Sequence, residues 1–549
     1  MLLRYLKKIF YNSVAELRMK KNYIHIYLLG LLLLSVACTG KFREFNTDQT
    51  GITDEDLIID DNGYGIRLGI IQQGIYFNYD YGKGKNWPFQ LTQNLNADMF
   101  SGYMHDAKPL NGGSHNSDYN MQDGWNSAMW THMYSYIFPQ IYQSENATRD
   151  THPALFGITK ILKVEAMHRV TDYYGPIIYK NFADAGKHYR PDTQKEVYYE
   201  FFNELDSAVV ALTSYVEANP ESNGFSRFDI LLDGRYSSWI KFANSLRMRL
   251  AMRISAVEPD KACVEFQEGL NNEYGVFEAE TERVAVSTKS GYTNPLGELN
   301  LVWNETYMSA SMESILTGYD DPRIAVYFAP CTDEQFKNTY RGIRQGTCFS
   351  HSHYAGLSKL TVTQTTDAPL MTSSEIWFLR AEAALRGWTD EDEESCYRNG
   401  VITSFHQNGI YQVEDYLNSE RMAFDFEDTY DNGNNIEARC KVSPKWDSEA
   451  DKEIKLERII TQKWIAMFPE GCEAWAEQRR TGYPRLFPVR YNHSQNGCID
   501  TEIMVRRLNF PGTLQTEDPD QYLALVETLG DPDDGGTRLW WDVESNGLD

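Results

Sequence analysis

Basic side chains are scarce in this 549-residue chain: 52 Lys and Arg stand against 78 Asp and Glu, which gives a formal net charge of −26. Because nucleic acids are bound by clustered basic side chains, this balance argues against a nucleic-acid partner. Mean hydropathy is −0.51, which excludes a multi-span membrane protein. The composition therefore predicts a globular protein whose binding partners are not polyanions such as nucleic acids.

Catalytic signatures are also missing. The sequence contains no HExxH, GxSxG, Walker A, GxGxxG or EF-hand motif. The one close pair of histidines is His351-Ser352-His353, for which a loop or strand edge is favoured over a metal site. Carboxylate pairs occur by chance among 78 acidic residues, so they do not identify a glycosidase. The missing motifs lower the odds of an enzyme without excluding one, and we predict a binding protein without cofactor or metal.

Aromatic residues, in contrast, are abundant. They make up 13% of the chain and include 35 Tyr and 12 Trp. Aromatic rings beyond the needs of a core are often found at wet contact surfaces, where they offer an apolar face with a polar rim. This excess favours a protein that binds a ligand at its surface.

The N-terminus has the pattern of a lipoprotein signal peptide. Met19-Lys20-Lys21 is a short basic start, residues 24–34 are almost entirely apolar, and Leu34-Ser35-Val36-Ala37-Cys38 matches a bacterial lipobox. We predict a signal peptide over residues 19–37 and acylation of Cys38. The alternative is a buried first helix with an incidental cysteine. Residues 1–18 fit neither pattern and are interpreted as a mis-called extension.

Cleavage before Cys38 would make the mature chain more acidic. Removing residues 1–37 takes away six basic residues and one acidic residue, which leaves a net charge of −31. Such a chain is not attracted to anionic lipid, so attachment should rest on the acyl chains of Cys38. Seven cysteines remain, an odd number without metal-site spacing. A disulfide between Cys331 and Cys348 is one open possibility.

The body of the chain is predicted to consist of helices joined by long loops. Apolar residues recur every three or four positions in several stretches, and Pro191-Asp192-Thr193 supplies a helix cap. The predicted helices cover residues 153–170, 193–216, 236–254, 372–385 and 456–467. Loops rich in Gly, Asn and Asp separate them, notably 105–124, 285–300, 427–446 and 486–500. We predict a mainly α fold, a TPR-like array of helix pairs with long loops and little β structure, in a single large domain.

The order and spacing of several motifs resemble those of a known family. They are Phe45-Asn46-Thr47-Asp48, Thr171-Asp172-Tyr173-Tyr174-Gly175-Pro176, Trp239-Ile240-Lys241-Phe242-Ala243-Asn244, Glu375-Ile376-Trp377-Phe378-Leu379-Arg380, Gln462-Lys463-Trp464, Arg479-Arg480-Thr481-Gly482-Tyr483-Pro484 and Leu539-Trp540-Trp541-Asp542. Together they resemble the SusD/RagB family of Bacteroidetes outer-membrane lipoproteins. The resemblance covers essentially residues 38–549.

The resemblance implies a function as well as a fold. Members of this family are TPR-type helical proteins that form a lid on a TonB-dependent SusC-type barrel transporter, and they capture oligosaccharides or other nutrients. It implies an outer-membrane location with a lipid anchor facing outside. The alternative is a surface lipoprotein enzyme that acts on glycans or peptides. The segment Thr39-Gly40-Lys41-Phe42-Arg43-Glu44 departs from the family, because it lacks the acidic pair associated with surface export.

Two regions are predicted to hold the ligand. Sugars stack their C–H faces on aromatic rings and present hydroxyls to polar side chains at the rim. By resemblance, residues 86–103 and the loops around 285–305 lie on the ligand face. The predicted ligand-binding residues are Trp87, Asn94, Asp98, Tyr103, Tyr292 and Trp303. The alternative for Trp87 and Phe89 is that they are core residues at a helix start.

The tryptophans and arginines of the family motifs are predicted to be structural. Trp239, Arg249 and Trp464 lie on patterned helices, where core packing and buried ion pairs are favoured. Arg479-Arg480 could bind an anion, but an internal salt-bridge network is the preferred interpretation because Arg favours bidentate carboxylate partners.

Overall fold

The computed structural model describes residues 62–77, 87–108, 110–182, 190–347 and 351–548. Cys38 and the predicted signal peptide lie outside the described residues, so the boundaries at residues 18 and 37 and the acylation stay predictions. Residues 64–549 form one compact unit. Across the described ranges, no helix has both the length and the apolar character needed to cross a membrane.

Helices dominate the described part of the chain. Those of ten or more residues are α1 (Asn62–Ile75), α2 (Phe138–Thr148), α3 (Pro153–Tyr174), α4 (Gln194–Ala218), α5 (Tyr236–Arg253), α6 (Pro259–Leu270), α7 (Ala310–Tyr319), α8 (Ser373–Leu385), α9 (Glu393–Gln407), α10 (Lys452–Ala466), α11 (Gly471–Thr481) and α12 (Pro519–Leu529). Neighbouring helices pack in pairs, α3 against α4, α5 against α6 and α8 against α9. The predicted mainly α, TPR-like architecture is confirmed.

Strands are few and short in the described residues. The strand β1 (Met104–His105) pairs antiparallel with β3 (Tyr307–Met308), and β2 (Arg283–Val286) pairs antiparallel with β4 (Ala368–Thr372). Neither sheet is large enough to be stable alone, so both depend on the helices and loops around them. The first sheet ties the loop after residue 103 to the segment that precedes α7.

Local signals explain how the paired helices begin and how closely they approach. Thr193 caps α4 through its side chain, which accepts from Glu196 N, and the Glu196 side chain accepts in return from Thr193 N at 2.9 Å. At the contact of α3 with α4, a Cβ on Gly157 would lie only 3.1 Å from Ala208 O. Glycine therefore lets these two helices pack more closely than a larger residue would.

The centre of the molecule contains buried charges as well as buried rings. Trp239 and Trp464 are fully buried, and Arg249 Nη2 lies 2.7 Å from Glu375 Oε2. Lys463 Nζ lies 3.0 Å from a Glu477 oxygen. The structural role predicted for these motif residues is thereby confirmed.

The tandem arginines of α11 have different partners. Arg480 contacts Glu382 at 2.7 Å and Glu477 at 2.8 Å, so its predicted place in an internal salt-bridge network is confirmed. Arg479 instead donates to main-chain carbonyl oxygens and lies with its guanidinium carbon 3.6 Å from the centre of the Trp475 ring. Both side chains are buried in the interior and are not available to an anion from solvent.

Candidate ligand-binding face

Long loops from distant parts of the chain are joined to one another by hydrogen bonds. Asp118 O accepts from His493 N, and Gln345 O accepts from Arg490 N, both at 2.8 Å. The first bond links two of the predicted loops, 105–124 and 486–500, and the second links the latter to a segment that was not predicted as a loop. Residues 103–122, 303–309, 341–347 and 490–498 are called the loop layer below.

The two regions predicted to hold the ligand are brought together at one end of the loop layer. Gln90 Nε2 donates to Glu305 Oε2 at 2.5 Å. Gln90 lies about one helical turn after Trp87, and Glu305 lies two residues after Trp303. Lys108 Nζ lies 2.9 Å from the other Glu305 oxygen and also donates to Trp303 O. Trp87, Gln90, Trp303, Glu305 and Lys108 are called the Trp87–Trp303 surface.

Trp87 begins a row of rings on this surface. Its indole is 48% exposed and lies 5.7 Å from the ring of His132, which in turn stacks at 5.6 Å on the half-exposed Tyr136. Desolvation lowers the pKa of His132 to about 4, so its imidazole is neutral at pH 7. Phe89, two residues after Trp87, is fully buried. The core alternative therefore holds for Phe89 and not for Trp87.

Four of the predicted ligand-binding side chains lie in the interior. Asn94, Asp98, Tyr103 and Tyr292 are each at most 2% exposed. They do not belong to the surface that a ligand can reach, because their neighbours cover them. The polar pattern of residues 94–98 lies on a buried π-helical segment (Gln90–Asp98) and not on a surface loop.

Asn94, Asp98 and Tyr103 have hydrogen-bond partners inside the protein, whereas the buried hydroxyl of Tyr292 has none among the described residues. Asp98 accepts from Gln93 Nε2 at 3.0 Å and from Asn94 Nδ2 at 3.4 Å. Desolvation nevertheless raises the pKa of Asp98 to about 7. The ring of Tyr103 lies 5.1 Å from that of Trp464, and its hydroxyl donates to Trp464 O. Their role is to support the elements behind the surface.

The first part of the loop layer is held by buried polar side chains. His115 Nε2 lies 3.2 Å from Asp106 Oδ2, and Asn116 Nδ2 donates to Asn126 Oδ1 at 3.0 Å. Burial lowers the pKa of His115, but the hydrogen bond and charge of Asp106 outweigh this effect and raise it. Buried polar contacts of this kind restrain a long polar loop to one defined shape.

The loop layer also borders a cleft that none of the residue predictions named. The cleft has a volume of about 810 Å³ and is formed where residues 119–126 meet 493–498, 509–515 and 533–535. Two of these segments belong to loops that sequence analysis noted for their Asn and Asp content. The sequence signal was therefore compositional and did not indicate that the loops meet. We call this feature the amide cleft.

The His351-Ser352-His353 motif begins a short helix (His351–Tyr354). The ring of His353 stacks on Tyr430 with centroids 5.2 Å apart, so this side chain takes part in an aromatic contact. Among the residues that the structure describes, no three His, Cys, Asp or Glu side chains are grouped as a metal site would require.

Comparison with known proteins gives consistent results. A family model described as SusD-like, SusD and RagB outer membrane lipoprotein, matches residues 44–542. A SusD homologue from Bacteroides vulgatus is 45% identical, with a TM-score of 0.85 over 90% of this chain and 100% of its own. A chitin-binding SusD homologue from Flavobacterium johnsoniae is 38% identical, with a TM-score of 0.84 over 88% of this chain and 99% of its own. No curated protein matches significantly.

Proposed function

The chain belongs to the SusD/RagB family of outer-membrane lipoproteins, and on that premise we propose that it captures an oligosaccharide and delivers it to a TonB-dependent SusC-type transporter. The observation that carries the proposal is the similarity, over 88% of the chain, to a homologue that binds chitin. We further propose that the lipid anchor faces outside, where such a ligand is encountered.

The Trp87–Trp303 surface supports the proposed binding. Trp87 is half-exposed and Trp303 is partly buried, and hydrogen bonds from Gln90 and Lys108 to Glu305 connect their two segments. Rings can stack on the C–H faces of sugars, while amide, ammonium and carboxylate groups bond to hydroxyls. A partly exposed surface of polar groups and aromatic rings suits a hydrophilic, uncharged chain better than it suits a lipid.

We expect Trp303→Ala and Trp87→Ala each to weaken oligosaccharide binding by about ten- to a hundredfold, because each removes one stacking ring. The measurement is calorimetric titration with whichever neutral hexasaccharide binds the parent protein. Tyr411→Ala is the matched control, since Tyr411 is an exposed aromatic whose ring contacts His406 instead. If both tryptophan variants fold and bind like the parent, the ligand surface lies elsewhere.

The alternative, a surface enzyme, is tested with the same preparation. Incubation of the parent protein with the bound hexasaccharide should leave the amount of reducing ends unchanged. An increase that is absent from a buffer control would identify a glycan hydrolase and overturn the proposal of a pure binding protein.

Delivery to a transporter predicts a stable complex. Affinity purification from native outer membranes in mild detergent should return a TonB-dependent barrel, with an interface above the roughly 1,200–2,000 Å² of a standard complex. A tagged, unrelated outer-membrane lipoprotein serves as the control for adhesion to the resin. Repeated purification without any barrel would argue against the SusC-type partner.

A further inference from the structure

The amide cleft has the size of a ligand site and is separate from the surface described above. Its volume of about 810 Å³ lies within the roughly 300–1,000 Å³ of typical small-molecule sites. None of the five residues of the Trp87–Trp303 surface lines it. Any ligand held there would contact a different set of side chains.

Amide side chains dominate the chemistry of its lining. They come from three segments and are Asn120, Asn126, Gln495, Asn496, Asn509 and Gln515. A carboxamide both donates and accepts hydrogen bonds, as does a sugar hydroxyl. A lining of this kind can satisfy neighbouring hydroxyls on a pyranose ring in either direction, whereas it offers little to a purely apolar ligand.

An aromatic wall accompanies the amides. Tyr522 is partly exposed in the cleft, and its hydroxyl donates to Asp533 Oδ2 at 3.2 Å, which fixes the orientation of the ring. Phe510 lies at the base and is almost fully buried. A ring held in place beside amide groups is the combination that favours stacking against the C–H face of a sugar.

The charge of the lining also restricts which sugars the cleft can bind. Asp123, Asp533 and Asp534 contribute to the lining, and no Lys or Arg of the described chain does. Arg507 pairs with Asp533 at 2.6 Å, but it is fully buried behind the wall. The remaining carboxylates disfavour a uronic or sulfated sugar and tolerate an uncharged or amino-substituted one.

The walls of the cleft are preformed. Asp123 Oδ1 accepts from Gly512 N at 2.8 Å, which joins two of the lining segments. Asp533 Oδ1 accepts from Phe510 N at 3.0 Å, and His493 Nδ1 lies 2.7 Å from Asp118 Oδ2. Because these bonds join the lining segments to the rest of the protein, little ordering cost opposes binding.

We propose that the amide cleft is a second carbohydrate site, which takes uncharged or amino-substituted sugars and rejects anionic ones. The inference rests on the proposed function, since it adds a second contact region to an oligosaccharide-binding protein. Two separate sites in one compact unit would let a long glycan be held at both, and simultaneous engagement strengthens overall binding.

The test measures the oligosaccharide binding that remains after both tryptophans of the Trp87–Trp303 surface have been replaced. The background protein is the Trp87→Ala/Trp303→Ala double variant, and the probes are maltohexaose, cellohexaose, xylohexaose, chitohexaose, a chitosan hexamer and hexagalacturonate. We expect the background protein to retain binding of at least one uncharged or amino-substituted hexamer. Adding Tyr522→Ala should weaken that residual binding by about tenfold or more. Hexagalacturonate should not bind the background protein.

A second cleft variant distinguishes the loss of a binding contact from the loss of folded structure. Asn120→Ala/Gln495→Ala changes two lining amides and keeps both partners of the Tyr522–Asp533 bond, and it should also weaken residual binding at an unchanged thermal midpoint. Tyr411→Ala in the same background should have no effect. The inference is overturned if both cleft variants bind every probe as well as the background protein does, or if hexagalacturonate binds there equally well. If no probe binds even the parent, the proposed function itself fails.

Discussion

Replacing Glu477 with Gln should lower the free energy of unfolding by about 3–5 kcal/mol, the cost of leaving buried charges without their partner. Glu477 is buried in α11 and lies 2.9 Å from Arg253 Nη1, 2.8 Å from Arg480 Nε and 3.0 Å from Lys463 Nζ. Glutamine has nearly the same shape, so the substitution removes the charge and leaves the packing almost unchanged. Urea unfolding with linear extrapolation measures the effect.

Glu502→Gln is the matched control for this prediction. Glu502 pairs with Arg439 at 2.6 Å, but it is 62% exposed. Exposed ion pairs contribute little, so this variant should lose less than about 1 kcal/mol. Equal losses in the two variants would contradict the proposed role of the buried network.

The pH dependence of stability should also differ between the parent protein and Glu477→Gln. Burial raises the pKa of Glu477, but the charges of Arg480 and Lys463 outweigh this effect and hold the pKa well below its ordinary value of 4.5. A lowered pKa in the folded state contributes stability above pH 4.5, and this contribution is lost as the pH falls through the folded value. The stability difference between parent and Glu477→Gln should therefore shrink on acidification below about pH 4.5.

Replacing Cys38 with Ala should move the protein from the membrane fraction to the soluble fraction. A multiply acylated cysteine anchors a protein stably, and a mature chain with a net charge of −31 gains no attraction from anionic lipid. The experiment is fractionation after a high-salt wash, in cells without the proposed transporter, so that a barrel partner cannot retain the protein. Metabolic labelling with a radioactive fatty acid measures acylation directly.

Cys263→Ala is the control for this second prediction, because it removes a cysteine remote from the lipobox. This variant should stay in the membrane fraction and keep its fatty-acid label. A Cys38→Ala protein that remained with the membranes would overturn the lipoprotein interpretation and support the alternative of a buried first helix.

Helix positions could be predicted from the sequence because their signals are local. Thr193 and Glu196 lie three residues apart and form the cap of α4 by themselves. The predicted helix over residues 236–254 is observed as Tyr236–Arg253, one residue shorter. Apolar residues repeated at helical spacing, together with a cap, define such an element without information from the rest of the chain.

The ligand face was harder to predict, because burial is decided by residues far away in the chain. Trp87 and Tyr103 are both aromatic residues in one short region, but Tyr103 is covered by Trp464, 361 positions later. Trp87 lacks such a cover and remains half-exposed. The family resemblance suggested the region, whereas only the packing separates the exposed ring from the buried one. The amide cleft was missed for the same reason, since four segments build it.

The buried charges also govern when the chain can fold. Arg253 and Glu477 are 224 positions apart, and Arg169 and Glu470 are 301 apart. Trp541 donates to Asp172 across 369 positions. Contacts of such high sequence separation form slowly, because a long loop must close before they stabilise anything. A growing chain that has not reached residue 541 holds charged groups whose partners do not yet exist, so the native core becomes stable only when almost the whole polypeptide is available.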